Sequence, residues 1–250
     1  MSELTRVGLL GGMSWESTAS YYRQLNQLVG ERVGGHSSAP VTIYSVDFAE
    51  IEALQRHGDW DAQGAILNRA ALALQASGVG VLALATNTLH LVAEKITAGV
   101  SVPFLDLIEL VGSTVSAAGY TRVGLLGTAY TMSSDLYPSR LAPLGVEVIV
   151  PDAADRELVH SVIYAELVHG IVRPESKADY LGVVGRLAAA GAQAVILGCT
   201  EIALLLSDGD ADVSLLDTTG LHCQVLADII INGAAASPQP GRREEKAISA

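Results

Sequence analysis

Two patterns of apolar and polar residues alternate along this chain. Short continuous apolar runs predict eight strands: Val7–Leu10, Val41–Asp47, Gly80–Ala85, Pro103–Leu107, Val123–Leu126, Val146–Val150, Ala194–Leu197 and Val213–Asp217. Longer segments between them have helical periodicity, among them Ser17–Gly30, Asp61–Ala76, Arg156–His169 and Lys177–Ala190. Continuous apolar strands are typical of parallel sheets that helices cover on both faces. The alternation therefore predicts an α/β fold.

The chain also contains an internal repeat. Arg6–Gly11, with the sequence RVGLLG, recurs unchanged as Arg122–Gly127, 116 positions later. Two further pairs follow in the same order at offsets of 113 and 111, namely Gly78–Thr86 with Gly191–Cys199 and Pro103–Asp106 with Ser214–Asp217. Three such pairs at nearly constant offset indicate a duplicated half. They predict two similar parallel-sheet α/β domains related by pseudo-twofold symmetry.

Domain boundaries follow from this repeat. We expect a first domain of residues 1–107 together with residues from about 218 to 235, and a second domain of residues 108–217. The segment 237–250 is rich in proline and charge, which predicts a disordered tail.

Composition and charge narrow the class of partner. Half of the residues are apolar, 17% are charged and the formal net charge is −12. This acidic balance argues against nucleic acid and against an anionic membrane surface. No apolar stretch approaches the ~20 residues of a membrane helix, and the start lacks a signal-peptide pattern. We therefore expect a cytoplasmic protein whose partner is a small molecule.

Small polar residues follow several predicted strands, at the edge where α/β sheets bind ligands. The turns concerned are Gly11–Ser17, Asp47–Glu50, Thr86–Thr88, Gly127–Met132 and Cys199–Glu201. Helix N-termini attract anions, and hydroxyl side chains add donors that suit a carboxylate. Any single turn fits a simple helix cap equally well. The repeat favours a site, because it predicts that these turns meet in the cleft between the domains.

Cysteine usage singles out one residue. The chain has two cysteines, and Cys223 lies in an amphipathic helical stretch that fits a structural role. Cys199 instead ends a strand, and the pseudo-twofold symmetry sets it opposite Thr86 across the cleft. Helix capping does not require a cysteine. A thiol at a helix N-terminus is expected to have a lowered pKa, which favours a reactive thiolate.

These motifs resemble the aspartate/glutamate racemase family over nearly the whole chain. The residues that carry the resemblance are Gly8–Thr18 (GLLGGMSWEST), Asn87-Thr88 with His90, and Gly198–Glu201 (GCTE). The resemblance implies a two-domain parallel fold, an active site in the interdomain cleft, no cofactor and a homodimer. It also implies racemisation of an acidic amino acid by two thiols that face opposite sides of the α-carbon.

The sequence departs from the family pattern at the first of these thiols. Thr86 stands where most members have a cysteine before Asn-Thr, as in a subgroup that acts on L-aspartate and L-glutamate. A threonine hydroxyl is too weakly acidic to replace a thiolate base. Thr86 could relay a proton or position a water molecule. By analogy, Cys199 removes the proton from the L-enantiomer, which predicts a preference for L-substrates.

The other site residues are assigned more loosely. Expected ligands of the α-carboxylate are Asn87, Thr88 and Thr200. Expected lining residues of the cleft are Met13, Thr128, Tyr130 and Thr131.

Charge suggests further roles. Gln55 and Arg56 are candidates for the substrate's side-chain carboxylate, and bidentate pairing favours Arg56. Arg56 fits a solvated helix position equally well. Glu201 is expected to accept the substrate ammonium, to orient Cys199 or to cap a turn. His90 fits either a partner of a site residue or a packed histidine.

Other chemistries find little support in the sequence. No lysine ends a strand, as a pyridoxal phosphate site would require, and neither metal-ligand nor dinucleotide-binding spacing is present. We expect no metal and no cofactor. Two alternatives remain: a single-thiol decarboxylase of the same superfamily, and an inactive relative that binds a dicarboxylate.

Overall fold

The computed structural model describes residues 4–233. The first half contains β1 (Val7–Gly11), α1 (Trp15–Val33), β2 (Val41–Ser45), α2 (Phe48–Arg56), α3 (Trp60–Ala76), β3 (Val81–Leu84), α4 (Ala93–Ile96), β4 (Phe104–Leu105) and α5 (Leu107–Ala117). The second contains β5 (Arg122–Leu126), α6 (Ala129–Ser133), α7 (Leu136–Leu141), β6 (Glu147–Ile149), α8 (Ala153–Ala165), α9 (Pro174–Ala189), β7 (Ala194–Leu197), β8 (Ser214–Asp217) and α10 (Thr218–Asn232). The predicted tail 237–250 lies outside the described residues.

The strands form two parallel sheets of the same topology. Their orders are β2-β1-β3-β4 and β6-β5-β7-β8. The predicted α/β fold of two similar domains is therefore confirmed. Several strands are shorter than predicted, and for β2 and β4 the cause is an aspartate that starts the next helix: Asp47 caps α2 by accepting from the Ala49 N–H, and Asp106 caps α5 by accepting from the Ile108 N–H.

The repeated glycines within β1 and β5 allow a helix to approach each sheet closely. A Cβ added to Gly8 would lie 2.6 Å from Leu82 Cδ2 and 3.3 Å from Leu74 Cβ of α3. A Cβ added to Gly124 would lie 3.0 Å from Leu187 Cδ1 of α9. Both helices therefore pack against the sheet where the strand has no side chain. The repeat of RVGLLG reflects this packing.

Helix α10 joins the core of the first sheet, although it follows the second in sequence. Its residues Cys223, Leu226 and Ile230 are fully buried in one apolar cluster with Tyr21 and Leu25 of α1. Helix α5 does the reverse, because its buried residues pack with β5 and β7. Within residues 4–233, no helix combines the length and the hydropathy needed to cross a bilayer.

Three histidines are held neutral by their surroundings. His222 is fully buried, with Nδ1 2.9 Å from the Tyr21 hydroxyl and Nε2 3.2 Å from the Leu105 carbonyl. Burial lowers the pKa of His222 to about 3. Burial also lowers the pKa of His90 and of His160. Protonation of these rings is therefore unfavourable in the folded protein.

We expect the free energy of unfolding to fall as the pH is lowered from about 6.5, the ordinary pKa of histidine, towards 3. The unfolded chain binds protons in this range that His222 cannot bind in the fold, so its stabilising contribution is present above 6.5 and lost below. Within this range His222 contributes a slope of about 1.4 kcal/mol per pH unit. Urea denaturation between pH 7 and 4 measures this slope.

The His222→Gln variant should lose one histidine's share of that slope. His36 is exposed, so His36→Gln is the matched control and should retain the wild-type slope. An unchanged slope in His222→Gln would show that the buried imidazole does not control the acid sensitivity.

Candidate functional site

A cavity opens between the two sheets, at the carboxyl ends of their strands. Its volume is about 450 Å³, including the open solvent at its mouth. Its lining includes nine of the twelve residues that the sequence singled out: Met13, Gln55, Thr86, Asn87, Thr88, Thr128, Cys199, Thr200 and Glu201. The turns after β1, β3, β5 and β7 supply eight of these nine, and Gln55 comes from α2.

Three of the expected residues lie outside the lining, and Arg56 is one of them. Arg56 ends α2 with an exposed side chain, and its Nε lies 2.9 Å from Glu52 Oε1. Neighbouring helix positions point about 100° apart, so Gln55 and Arg56 cannot face the cavity together. Gln55 shares the inner face of α2 with Phe48 and Ile51. The expectation that Arg56, more than Gln55, faces the substrate was wrong, because Gln55 lines the cavity and Arg56 does not.

Thr131 and Tyr130 are the other two. Thr131 is fully buried, and its hydroxyl lies 2.8 Å from that of Thr88 and 3.2 Å from that of Thr128. It supports the lining from behind instead of forming part of it. Tyr130 packs edge-on against Trp60 of the first domain, with ring centroids 6.3 Å apart. Thr131 therefore holds the hydroxyls of Thr88 and Thr128, and Tyr130 contacts the first domain through Trp60.

The apolar part of the lining was not identified from the sequence. It consists of Phe48, Ile51, Leu89, Ile163, Tyr164 and Val168, together with Gly198. The rings of Phe48 and Tyr164 stack with centroids 6.4 Å apart, which joins α2 to α8 across the cleft. The spacing of Phe48, Ile51 and Gln55 marks one helix face and could have indicated the first wall. The wall that α8 contributes through Ile163 and Tyr164 could not be indicated in this way, because it faces the cavity only once the two domains meet.

A buried carboxylate organises the polar part of the site. Glu201 Oε2 accepts from Cys199 Sγ at 3.0 Å and from Thr200 Oγ1 at 2.7 Å. Its other oxygen, Oε1, accepts from Ser14 Oγ at 2.7 Å. Glu201 is 3% exposed. Three donors thus satisfy a charge that burial would otherwise make unfavourable.

The Cys199 thiol is more basic than its position at a strand end suggests. Burial raises the pKa of Cys199 well above its ordinary value, and the charge and hydrogen bond of Glu201 raise this pKa further. The sequence-based expectation of a lowered pKa was therefore wrong. The helix that follows is a short 3₁₀ segment, Thr200–Leu204, whose N-terminus does not outweigh a carboxylate in contact with the sulfur.

His90 connects Thr86 to the start of α5. The Leu107 N–H donates to His90 Nε2 at 3.2 Å, so the ring proton resides on Nδ1 and is donated to the Thr86 carbonyl at 2.9 Å. Because burial lowers its pKa, His90 remains neutral. Of the two readings of His90, this geometry favours a partner of a site residue.

The cavity carries little charge. Among the described residues that line it, Glu201 is the only Asp, Glu, Lys or Arg. Hydroxyl and amide groups supply the remaining polar contacts. Within residues 4–233, no group of three or more His, Cys, Asp or Glu side chains could hold a metal ion.

Comparison with known proteins agrees with this architecture. The model of the Asp/Glu/hydantoin racemase family matches residues 10–226. The structure of a candidate Asp/Glu racemase from Yersinia pestis is 44% identical, with a TM-score of 0.83 over 91% of this chain and 100% of that one. An aspartate racemase homologue from Pyrococcus horikoshii is 31% identical, with a TM-score of 0.80 over 91% and 100%.

A curated relative extends the comparison to a named activity. The broad specificity amino-acid racemase RacX of Bacillus subtilis is 23% identical over 85% of this chain and 92% of its own length. The family match spans both domains and every residue of the Cys199–Glu201 cluster. The chain therefore belongs to the Asp/Glu/hydantoin racemase family.

Proposed function

We propose that the protein racemises acidic amino acids without a cofactor, and that it favours the L-enantiomers of aspartate and glutamate. The observation that carries this proposal is the Cys199 thiol, which donates to the buried Glu201 carboxylate in a cavity that Thr86, from the turn after β3, also lines. We further propose a cytoplasmic homodimer, as the family resemblance implies.

The thiol and the carboxylate suit proton transfer at an α-carbon. The sulfhydryl proton passes to Glu201 Oε2, and the resulting thiolate removes the α-proton of the L-substrate. Because burial raises the pKa of Cys199, its thiolate is a strong base, and the Glu201 carboxylate 3.0 Å away accepts the proton that leaves the sulfur first. The carbanion regains a proton on its other face through the Thr86 hydroxyl or a water molecule that Thr86 positions.

Donors without charge have to bind the anionic substrate. Amide and hydroxyl groups of Asn87, Thr88 and Thr128 suit the α-carboxylate, and Thr200 lines the same cavity while its hydroxyl donates to Glu201. Gln55 is buried at the α2 wall and suits the side-chain carboxylate. Glu201 is already satisfied by three donors, so it fits the role of orienting Cys199 better than that of binding the ammonium.

Exchange of the α-proton in heavy water tests the reaction. We expect the wild type to incorporate deuterium into L-glutamate or L-aspartate, and Cys199→Ser to lower the rate by about three orders of magnitude or more, because a serine hydroxyl is a far weaker acid than a thiol. Proton NMR follows the loss of the α-proton signal. Cys223→Ser is the matched control, since Cys223 lies in the α1–α10 core. Absence of exchange from the wild type on both amino acids would refute the proposed activity.

Thr86, which follows β3, is the basis of the expected enantiomer preference. Thr86→Cys introduces a second thiol at the site, which should raise α-proton exchange of D-substrates at least 10-fold while exchange of L-substrates changes less. Proton NMR in heavy water, with reactions started from each pure enantiomer, measures the two exchange rates. A variant that folds and shows no gain with D-substrates would contradict the assignment of Thr86 to the D-side of the substrate.

The carboxylate is expected to control the thiol. Glu201→Gln removes the charge beside the sulfur, which should lower the pKa of Cys199 and increase its alkylation rate near neutral pH about 10-fold. Iodoacetamide labelling across a pH series in a Cys223→Ser background measures this pKa. Glu166→Gln is the control, because its carboxylate contacts Ser176 and Arg173. A pKa that stays the same or rises in Glu201→Gln would contradict this assignment.

A further inference from the structure

The side-chain amide of Asn87 is bonded on both sides by residues that have not yet been given a role. The Tyr137 hydroxyl, from α7 of the second domain, donates to Asn87 Oδ1 at 2.6 Å. Asn87 Nδ2 donates to Thr218 Oγ1 at 3.2 Å, and that hydroxyl donates to the Leu197 carbonyl at 2.9 Å. Tyr137 and Thr218 are fully buried, and Asn87 is 2% exposed.

These bonds leave one orientation for the amide. Since the Thr218 proton is committed to Leu197, its oxygen can only accept, and the group that faces it must be the Asn87 NH₂. Burial raises the pKa of Tyr137, so its hydroxyl keeps the proton that Oδ1 requires. One hydrogen of the Asn87 NH₂ remains after the bond to Thr218, and Asn87 lines the cavity.

The same bonds join the two strand tips of the site. Asn87 directly follows Thr86, and Leu197 ends β7 two residues before Cys199. The chain of donors from Tyr137 through Asn87 and Thr218 therefore fixes one side of the cavity relative to the other. Shortening or breaking it changes the position of an amide that faces the substrate.

We propose that Tyr137 and Thr218 are positioning residues that hold the Asn87 amide with its N–H towards the substrate carboxylate. This rests on the proposed function in that it assumes an anionic substrate. An amide turned the other way would present its carbonyl oxygen to that anion. Loss of either partner should therefore weaken substrate binding, although neither side chain is among the lining residues.

A double-mutant cycle on binding separates positioning from general destabilisation. Tyr137→Phe should weaken binding of L-glutamate about 10-fold, because the Asn87 amide is then no longer held to donate to the charged carboxylate. In an Asn87→Ala background the same change should have less than about a 2-fold effect, because no amide remains to be oriented. Isothermal titration calorimetry measures binding for all four proteins.

Tyr180→Phe is the matched control. Tyr180 is a fully buried tyrosine of the same domain whose hydroxyl donates to the Val159 carbonyl at 2.7 Å. It should lose a similar amount of thermal stability as Tyr137→Phe while binding changes less than about 2-fold. Thr218→Val provides a second route to the same answer, with the same expected dependence on Asn87.

Two results would overturn the positioning role. One is a loss of affinity from Tyr137→Phe that is equally large with Asn87 and with Asn87→Ala. If Tyr137→Phe does not fold, the same comparison is made with Thr218→Val. The other is absence of binding of L-glutamate and L-aspartate to the wild type. Coupling in binding without α-proton exchange would instead refute the racemase proposal and leave the orientation of Asn87 supported.

Discussion

One buried carboxylate links the two domains at the site. Glu201 is almost entirely removed from water, and a charge in that position is tolerated only if donors surround it. Two of its donors, Cys199 and Thr200, come from its own turn, and the third, Ser14, comes from the turn after β1 in the other domain. The need to satisfy this charge therefore ties the two walls together, and the same charge makes the neighbouring thiol a stronger base.

The two halves have kept their framework and diverged at their tips. In the repeat, Thr86 corresponds to Cys199 and Thr88 to Glu201. The thiol and its proton acceptor thus occur together in the second half. In the first half both positions are threonines, whose hydroxyls can donate and accept but do not ionise near neutral pH. Basicity is concentrated on one side of the cavity.

Most of the fold could be predicted from the sequence, because strands buried on both faces leave continuous apolar runs and a repeated half leaves repeated motifs. The small polar residues that follow the strands indicated the polar lining, because parallel strands bring their carboxyl ends to one edge of the sheet. The charge of Arg56 does not indicate which way its side chain points, and helix geometry admits only one of two neighbouring residues to the cavity, in this case Gln55. The pKa of Cys199 was misjudged because the folded position of a carboxylate two residues away decides its direction. Tyr137 and Thr218 left no local signal, since their importance arises only when distant segments meet.

The glycine in each first strand has a consequence for how the molecule could be rebuilt. In both domains a helix comes close to the sheet at a glycine, α3 at Gly8 and α9 at Gly124, and a methyl group at either position would disturb this spacing. The two halves therefore share the same device for packing a helix on the sheet. A chimera made of two copies of either half would keep this spacing and still lose the pairing of unlike strand tips. The two halves share the packing of their layers, and they differ in a few residues at the carboxyl edge of their sheets.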